Sequence, residues 1–503
     1  MSEMVSISVD GQKFQAKKGA LLLPTLLEHG IMVPHFCYHE ALGPDGNCRM
    51  CMVSIEGQKR PQIACDTPIK KDMVVSTKNE SINDVKRKIL ELELLSHPVD
   101  CPICDQAGEC SLQDYYMAFG LNESRRPKEE KKHKNKKLDI GKNIILDQER
   151  CVLCARCTRF TQEITKTNEL AIIGRGNDAR VSTLPNQGMQ TPYAMNVIDL
   201  CPVGALTSKD FRFKQRVWFM HSAKSVCHGC AKGCNIFIDH NQEKYKSDTI
   251  FRYRPRINKE VNGHFICDEG RLSYKEENSN RLEQAYAHNK LISKENAIAY
   301  LLHALNTLHP LLIVSPSLSL EELTVIQLLS KHFKLEVHAY VQGYEDESFE
   351  DEWLRSKDRS ANLASIKKLD IKTSEKSLKA ALECTGLIIN FNHFSFLNPS
   401  PHEQAMLLHK KEIHFSSHNF ENCRHKKLLY PIASFSEHEG SLINEGGILQ
   451  KYEAGLCNER ENILSLVHEL IATPSTAQGV WDAHLKEVFG FEYEAIGDEG
   501  RKI

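Results

Sequence analysis

Fifteen of the 18 cysteines lie before residue 268, and they fall into four groups. Cys37, Cys48, Cys51 and Cys65 are spaced C-x10-C-x2-C-x13-C. Four thiolates at such spacing suit a [2Fe–2S] cluster, with zinc as the rival, since soft sulfur donors select either. Cys101, Cys104 and Cys110 in HPVDCPICDQAGEC leave a cubane one ligand short, and His97 is the strong nearby donor upstream. An imidazole nitrogen can replace a thiolate on iron and tends to raise the potential. The alternative makes His97 a polar cap at the end of a helix that stops at Pro98. Cys151, Cys154 and Cys157 in CVLCARC, with Cys201 in DLCPVGAL, give the C-x2-C-x2-C plus distant Cys-Pro pattern of ferredoxin-type [4Fe–4S] sites. Cys227, Cys230, Cys234 and Cys267, spaced C-x2-C-x3-C-x32-C, can close another cube, with zinc again a rival. Together the groups use fifteen cysteines and His97, four ligands per cluster, and leave none over before residue 268. Cys384, Cys423 and Cys457 are isolated and read as ordinary thiols.

These ligands need elements to hold them. VSISVDGQKFQA alternates on both sides of Asp10-Gly11, a hairpin signal, and LLLPTLLEHG reads as a short helix with a glycine stop. Residues 49–76 read as two further strands, placing Cys48 and Cys51 in a turn after Gly46 and Cys65 on a strand. INDVKRKILELELLSHP has helical periodicity. RRPKEEKKHKNKK, with eight Lys or Arg and two Glu, reads as a solvated linker or a docking strip. GRGNDA (174–179) imitates a dinucleotide fingerprint but reads as a turn, because no strand–loop–helix unit surrounds it. After residue 280 helical stretches alternate with short apolar runs, as in a parallel α/β domain. His438, beside Glu439, reads as solvated or structural.

Composition bounds the class. A chain of 503 residues implies several domains, and a net charge of -2 argues against nucleic acid as the main partner. No apolar run approaches the roughly 18 residues that span a bilayer, and the N-terminus reads as a strand, not a signal peptide. Close-spaced cysteines of this kind are typical of metal sites in a reducing compartment.

In this order the motifs resemble the large iron–sulfur subunit of respiratory complex I, the G or 75 kDa subunit of NADH–quinone oxidoreductase. PHFCYHEALGPDGNCRMCMVSIEG resembles its [2Fe–2S] segment, HPVDCPICDQAGECSLQD its His/Cys3 segment, and RCVLCARCTRF with DLCPVGAL its third site. The fourth group is similar to a cluster of some bacterial members and to the N-terminal cluster of molybdopterin oxidoreductases. YPIASFSEHEGSLINEGGILQ and GLIINFNHF resemble C-terminal family segments, in a shortened domain. The resemblance implies a multidomain α+β and α/β protein. It would have a β-grasp [2Fe–2S] domain (1–80), a His/Cys3 [4Fe–4S] domain (81–124), a linker and ferredoxin-like [4Fe–4S] domain (125–219), a further [4Fe–4S] domain (220–278), and a shortened molybdopterin-oxidoreductase-like α/β domain (279–503). It implies one [2Fe–2S] and three [4Fe–4S] clusters, no molybdopterin, and no catalytic residue or complete active site on this chain. Electrons would pass between a flavin-containing NADH-oxidising subunit and the quinone-module subunits, in a complex that translocates protons. The first three clusters would conduct, with the fourth to one side. The chain would be peripheral, on the cytoplasmic side of the inner membrane, and reach the membrane only through the complex. The alternatives are a subunit of an NAD-linked Mo/W formate dehydrogenase, a subunit of a multimeric hydrogenase, or a zinc-stapled scaffold.

Overall fold

Asp10 and Gly11 turn the chain back on itself, both at positive φ (48° and 86°), so that β1 (Met4–Val9) pairs antiparallel with β2 (Gln12–Lys17). The computed structural model describes residues 3–120, 124–125, 127–185, 187–241, 249–420, 428–456 and 460–503; Cys423 and Cys457 fall outside the described residues. The chain divides into two units, Met1–Phe219 and Met220–Ile503.

In the first unit, β1 and β2 join β3 (Met52–Ile55), β4 (Gln62–Ile63) and β5 (Val74–Ser76) in a mixed sheet ordered β2-β1-β5-β3-β4, with β1 and β5 parallel. Val5, Ile7 and Val9 alternate into a core with Leu22, Leu23 and Leu26 of the helix Leu22–Glu28, and Cys51 and Cys65 lie in the same core. Three strands, not two, follow residue 49. Cys65 is not on any of them: it sits in the 3-10 turn Ala64–Asp66 directly after β4.

The helix Glu80–Leu94 starts at Asn79, whose side chain accepts from the Ile82 N–H, and ends before His97 and Pro98. Another helix, Ser111–Phe119, begins directly after Cys110. The basic run is tied down by two of its lysines. Lys131 donates to the His97 carbonyl at 2.6 Å, and Lys136 bridges Asp100 and Glu149 at 3.0 and 2.8 Å. Strands β6 (Leu138–Gly141) and β7 (Ile144–Leu146) follow, then a hairpin of β8 (Leu170–Ile173) and β9 (Arg180–Thr183). Residues 174–179 are its turn, with one 3-10 turn at Gly176–Asp178. Strand β10 (Leu206–Ser208) returns to complete the sheet β10-β7-β6.

The second unit opens with three antiparallel strands, β11 (Met220–Val226), β12 (Asn235–Asn241) and β13 (Ile250–Pro255). A seven-stranded sheet follows, built from β14 (Tyr286–Ala287), β15 (Lys290–Leu291), β16 (Leu311–Val314), β17 (Val337–Ala339), β18 (Leu387–Phe391), β19 (Lys411–Ser416) and β20 (Leu428–Pro431). Its order is β15-β14-β20-β19-β18-β16-β17, with β16 to β20 all parallel. Helices Lys294–Thr307, Leu320–Phe333 and Glu375–Cys384 precede β16, β17 and β18, the alternation expected from sequence. Strands β16 and β18 are buried at every position, as parallel strands covered on both faces must be. Beyond them β21 (Gly440–Ile443), β22 (Ile448–Tyr452) and β23 (Arg501–Lys502) form a small antiparallel sheet.

Candidate iron–sulfur sites

The first group gathers at one end of the β1–β5 sheet. Cys37 and Cys48 Sγ lie 3.3 Å apart, and the Phe36 N–H points at Cys48 Sγ at 3.5 Å. Thiol contacts from Cys48 and Cys65 hold Cys37 far below the ordinary thiol range and contact with Cys65 lowers Cys51, while the same contacts push Cys48 and Cys65 up. Four thiols that polarise one another in this way suit a cation that replaces their protons.

In the second group, the 3-10 turn Cys101–Ile103 carries Cys101 and leads to Cys104. Burial lowers His97 to about 4, so its imidazole is neutral and can offer a lone pair. Burial pushes Cys110 up to about 11, helped by nearby Cys104 and Cys201. The third group lines a single small cavity. All four cysteines face it, with Leu146, Val152, Val181, Val203, Ala205 and Leu206 supplying apolar wall and Arg156 beside them. Burial pushes Cys151 up to about 12. Buried thiols with no proton acceptor are poor neighbours unless a metal takes the protons' place, so this donor set fits a cluster.

Three links that sequence reading does not reveal join these groups. Arg150 and Asp100, each directly before a candidate ligand cysteine, form an ion pair between the second and third groups. Gly204, in the CPVGAL loop, backs onto Cys104 so closely that a Cβ there would collide with its Sγ. Tyr115 Oη lies 3.1 Å from both the N–H and the carbonyl of His35, and its ring is 5.2 Å from Phe36, tying the helix after Cys110 to the loop before Cys37. The glycine of C-P-x-G and the arginine directly before Cys151 are visible in the sequence, but their partners lie 50 or more residues away.

The fourth group lies in the second unit. Cys227, Cys230, Cys234 and Cys267 are all buried. Gly270 N–H donates to Cys267 Sγ at 3.3 Å, and a Cβ on Gly270 would meet both Cys227 and Cys267 Sγ. The segment 430–450, singled out in the sequence, holds this loop from outside. Asn444 donates to the Lys232 carbonyl at 3.2 Å, and Gln450 to the Gly233 carbonyl at 3.0 Å. Arg359 donates to the Gly229 carbonyl at 2.7 Å. Among the described residues no three His, Cys, Asp or Glu side chains close around a single metal ion.

Elsewhere in this unit, strand order reverses at β16 and β18, the usual crevice for ligands of an open α/β sheet. Here Tyr344 Oη meets Ser315 Oγ at 3.1 Å, with the His393 ring edge-on to Tyr344 at 5.2 Å. His438 is buried, not solvated, with Nε2 3.4 Å from Glu322. Cys384 ends a helix and is exposed.

Three family models match regions that contain the first three cysteine groups. A 2Fe-2S iron-sulfur cluster binding domain matches residues 2–80, an NADH-ubiquinone oxidoreductase-G iron-sulfur binding region matches 86–125, and the ferredoxin-like domain of NADH-quinone oxidoreductase subunit 3 matches 141–207. More than half of the chain is similar to the G subunit of NADH-quinone oxidoreductase. The NADH-ubiquinone oxidoreductase 75 kDa subunit of Reclinomonas americana is 40% identical over 271 residues, 54% of this chain and 38% of that protein. The G subunit of Rickettsia bellii is 36% identical over 292 residues (58% and 42%), and that of Streptomyces coelicolor 37% over 275 residues (54% and 32%). The chain thus spans about two fifths or less of the curated relatives it matches. The crystal structure of NAD+-reducing [NiFe]-hydrogenase in the H2-reduced state aligns with a TM-score of 0.39 at 28% identity, covering 42% of this chain and 91% of that one. The fourth group lies outside the three matched regions of the first half. No helix among the described residues is long and apolar enough to cross a membrane.

Proposed function

We propose that the chain is an iron–sulfur relay subunit of an NADH–quinone oxidoreductase. It would accept electrons from a flavin-containing NADH-oxidising subunit and deliver them to the quinone-reducing module. The observation that carries this reading is the cross-linking of three cysteine groups within one unit, with Arg150–Asp100, Gly204–Cys104 and Tyr115–His35 joining their ligand segments. Bound iron–sulfur clusters supply one-electron transfer. The chain's own residues do the rest. Cys37, Cys48, Cys51 and Cys65 hold a [2Fe–2S] cluster. His97 with Cys101, Cys104 and Cys110, Cys151, Cys154 and Cys157 with Cys201, and Cys227, Cys230 and Cys234 with Cys267 hold [4Fe–4S] clusters. Apolar walls exclude water, and backbone N–H groups on sulfur tune the potentials. No side chain here need act as acid, base or nucleophile. The first unit is the conducting part, and the fourth site a side branch supported by the C-terminal sheets. The chain sits peripherally on the cytoplasmic face, held at the membrane by its partners.

The test is iron and acid-labile sulfide on anaerobically purified protein, with Zn, Mo and W measured together. The reading expects about 14 iron per chain and no Mo or W. Stoichiometric zinc with little iron would replace it with a structural scaffold.

A further inference from the structure

Arg156 is buried, and its charge has no carboxylate partner among the described residues. It donates through Nη2 to the Tyr38 carbonyl at 2.6 Å and through Nη1 to the Leu200 carbonyl at 3.2 Å, while Nε has no hydrogen-bond partner. Tyr38 follows Cys37, Leu200 precedes Cys201, and Arg156 itself precedes Cys157. One guanidinium therefore touches the backbone beside ligands of two different groups, and it lines the cavity of the third. Its neighbour Arg159 is different: that side chain pairs with Glu163 at 2.8 Å, so its charge is already neutralised.

A buried cation without a counter-charge is costly, by several kcal/mol on general grounds. In this environment the available anions are the thiolate-ligated clusters themselves. We infer that Arg156 is the shared counter-charge of the first and third cysteine groups, a positioning residue that keeps both of their clusters easier to reduce. This rests on the relay reading. Reduction adds one electron, and hence one negative charge, to a cluster; no proton need move, because Arg156 remains charged throughout. A fixed cation favours the more negative, reduced state of each neighbour. The same charge bears on Cys154 and Cys201, and on His35 and Tyr115 beside the first group. A single residue would thus move two potentials together, keeping their difference nearly constant.

The experiment is a mediated redox titration followed by EPR on the full chain, comparing wild type with R156Q and R156K, and with R159Q as the matched control. Iron and sulfide are measured on each. In R156Q both the first and third midpoints should shift to lower potential, while the signals of the His97 group and the fourth group stay in place. R156K keeps the charge but loses the two-pronged donor, so its midpoints should stay near wild type, as should those of R159Q. Fully loaded R156Q with unmoved midpoints overturns the inference, and so does a shift in only one of the two clusters. If R156Q does not assemble, R156K carries the test: a fall in both midpoints despite the retained charge would show that hydrogen bonding, not charge, is what matters. Wild-type protein lacking iron in these two groups would instead defeat the relay reading itself.

Discussion

Asp100 and Arg150 meet in a two-pronged ion pair, Nε to Oδ1 and Nη2 to Oδ2 both at 2.9 Å, and each stands directly before a candidate ligand cysteine. The Arg150 side chain is only 4% exposed, and losing Asp100 would leave it with Asp147, at 3.4 Å, but without its two-pronged partner. D100A should destabilise the first unit by about 3 kcal/mol, read as a lower urea midpoint and faster iron release. The double variant D100A/R150M should lose less than the sum of the two singles, because the Asp100–Arg150 interaction can be lost only once. Strict additivity would show that the pair does not join the two segments.

His97 offers a second test. Burial keeps it neutral, and Lys131 holds its backbone carbonyl. H97C should retain a cluster and titrate at a lower potential, since thiolate donates more negative charge to iron than imidazole does. H97A should lose about four iron atoms per chain. An H97C titration that overlays wild type would remove His97 from the ligand set.

Much of this is legible in local pattern. The hairpin at Asp10-Gly11, the helix–strand alternation after residue 293 and the grouping of the cysteines all depend on residues close in sequence. Cys65 reads as a strand residue because a 3-10 turn of three residues has no periodicity to show. The roles of the arginines escape for a different reason. Arg156 meets a carbonyl 118 residues away, and Arg150 an acid 50 residues away, and no spacing rule reports such pairs. The support of the fourth group by Asn444 and Gln450 is equally non-local, across more than 200 residues.

That support predicts a division of labour. A chain truncated after residue 279 should keep the iron of the first unit but lose about four iron atoms, because the 227–234 loop loses Arg359, Asn444 and Gln450. EPR of the truncated protein should lack one cubane signal and keep the rest. Retention of all the iron would mean that the loop holds its cluster unaided.

Gly204 should tolerate nothing larger. A Cβ there collides with Cys104 Sγ, while Gln106 Cβ at 3.1 Å blocks escape on one side. G204A should therefore disturb the His97 group although Gly204 lies in the loop of the third. The expected outcome is a shifted or lost EPR signal from the second group with the first group's signal unchanged. A G204A spectrum identical to wild type would mean that the two loops are not in close contact.

Glu321 gives the second unit a pH signature. Its carboxylate is fully buried and accepts from the Ser441 N–H at 2.8 Å and from Ser441 Oγ at 2.6 Å. Burial raises it to about 7, partly opposed by those two hydrogen bonds, with Glu322 adding to the rise. The unfolded chain releases this proton near 4.5, whereas the folded chain holds it until about 7. The folded state therefore binds more protons across that window, so its stability falls as pH rises. Below about pH 4.5 the penalty is absent; above about pH 7 it is complete, at about 3 kcal/mol. E321Q keeps an oxygen acceptor for Ser441 but cannot ionise. Amide exchange in the helix Leu320–Phe333 should be slower in E321Q than in wild type at pH 8, after correction for intrinsic exchange rates, and the two should converge near pH 5. Parallel protection curves across the whole range would show that Glu321 ionises as readily folded as unfolded.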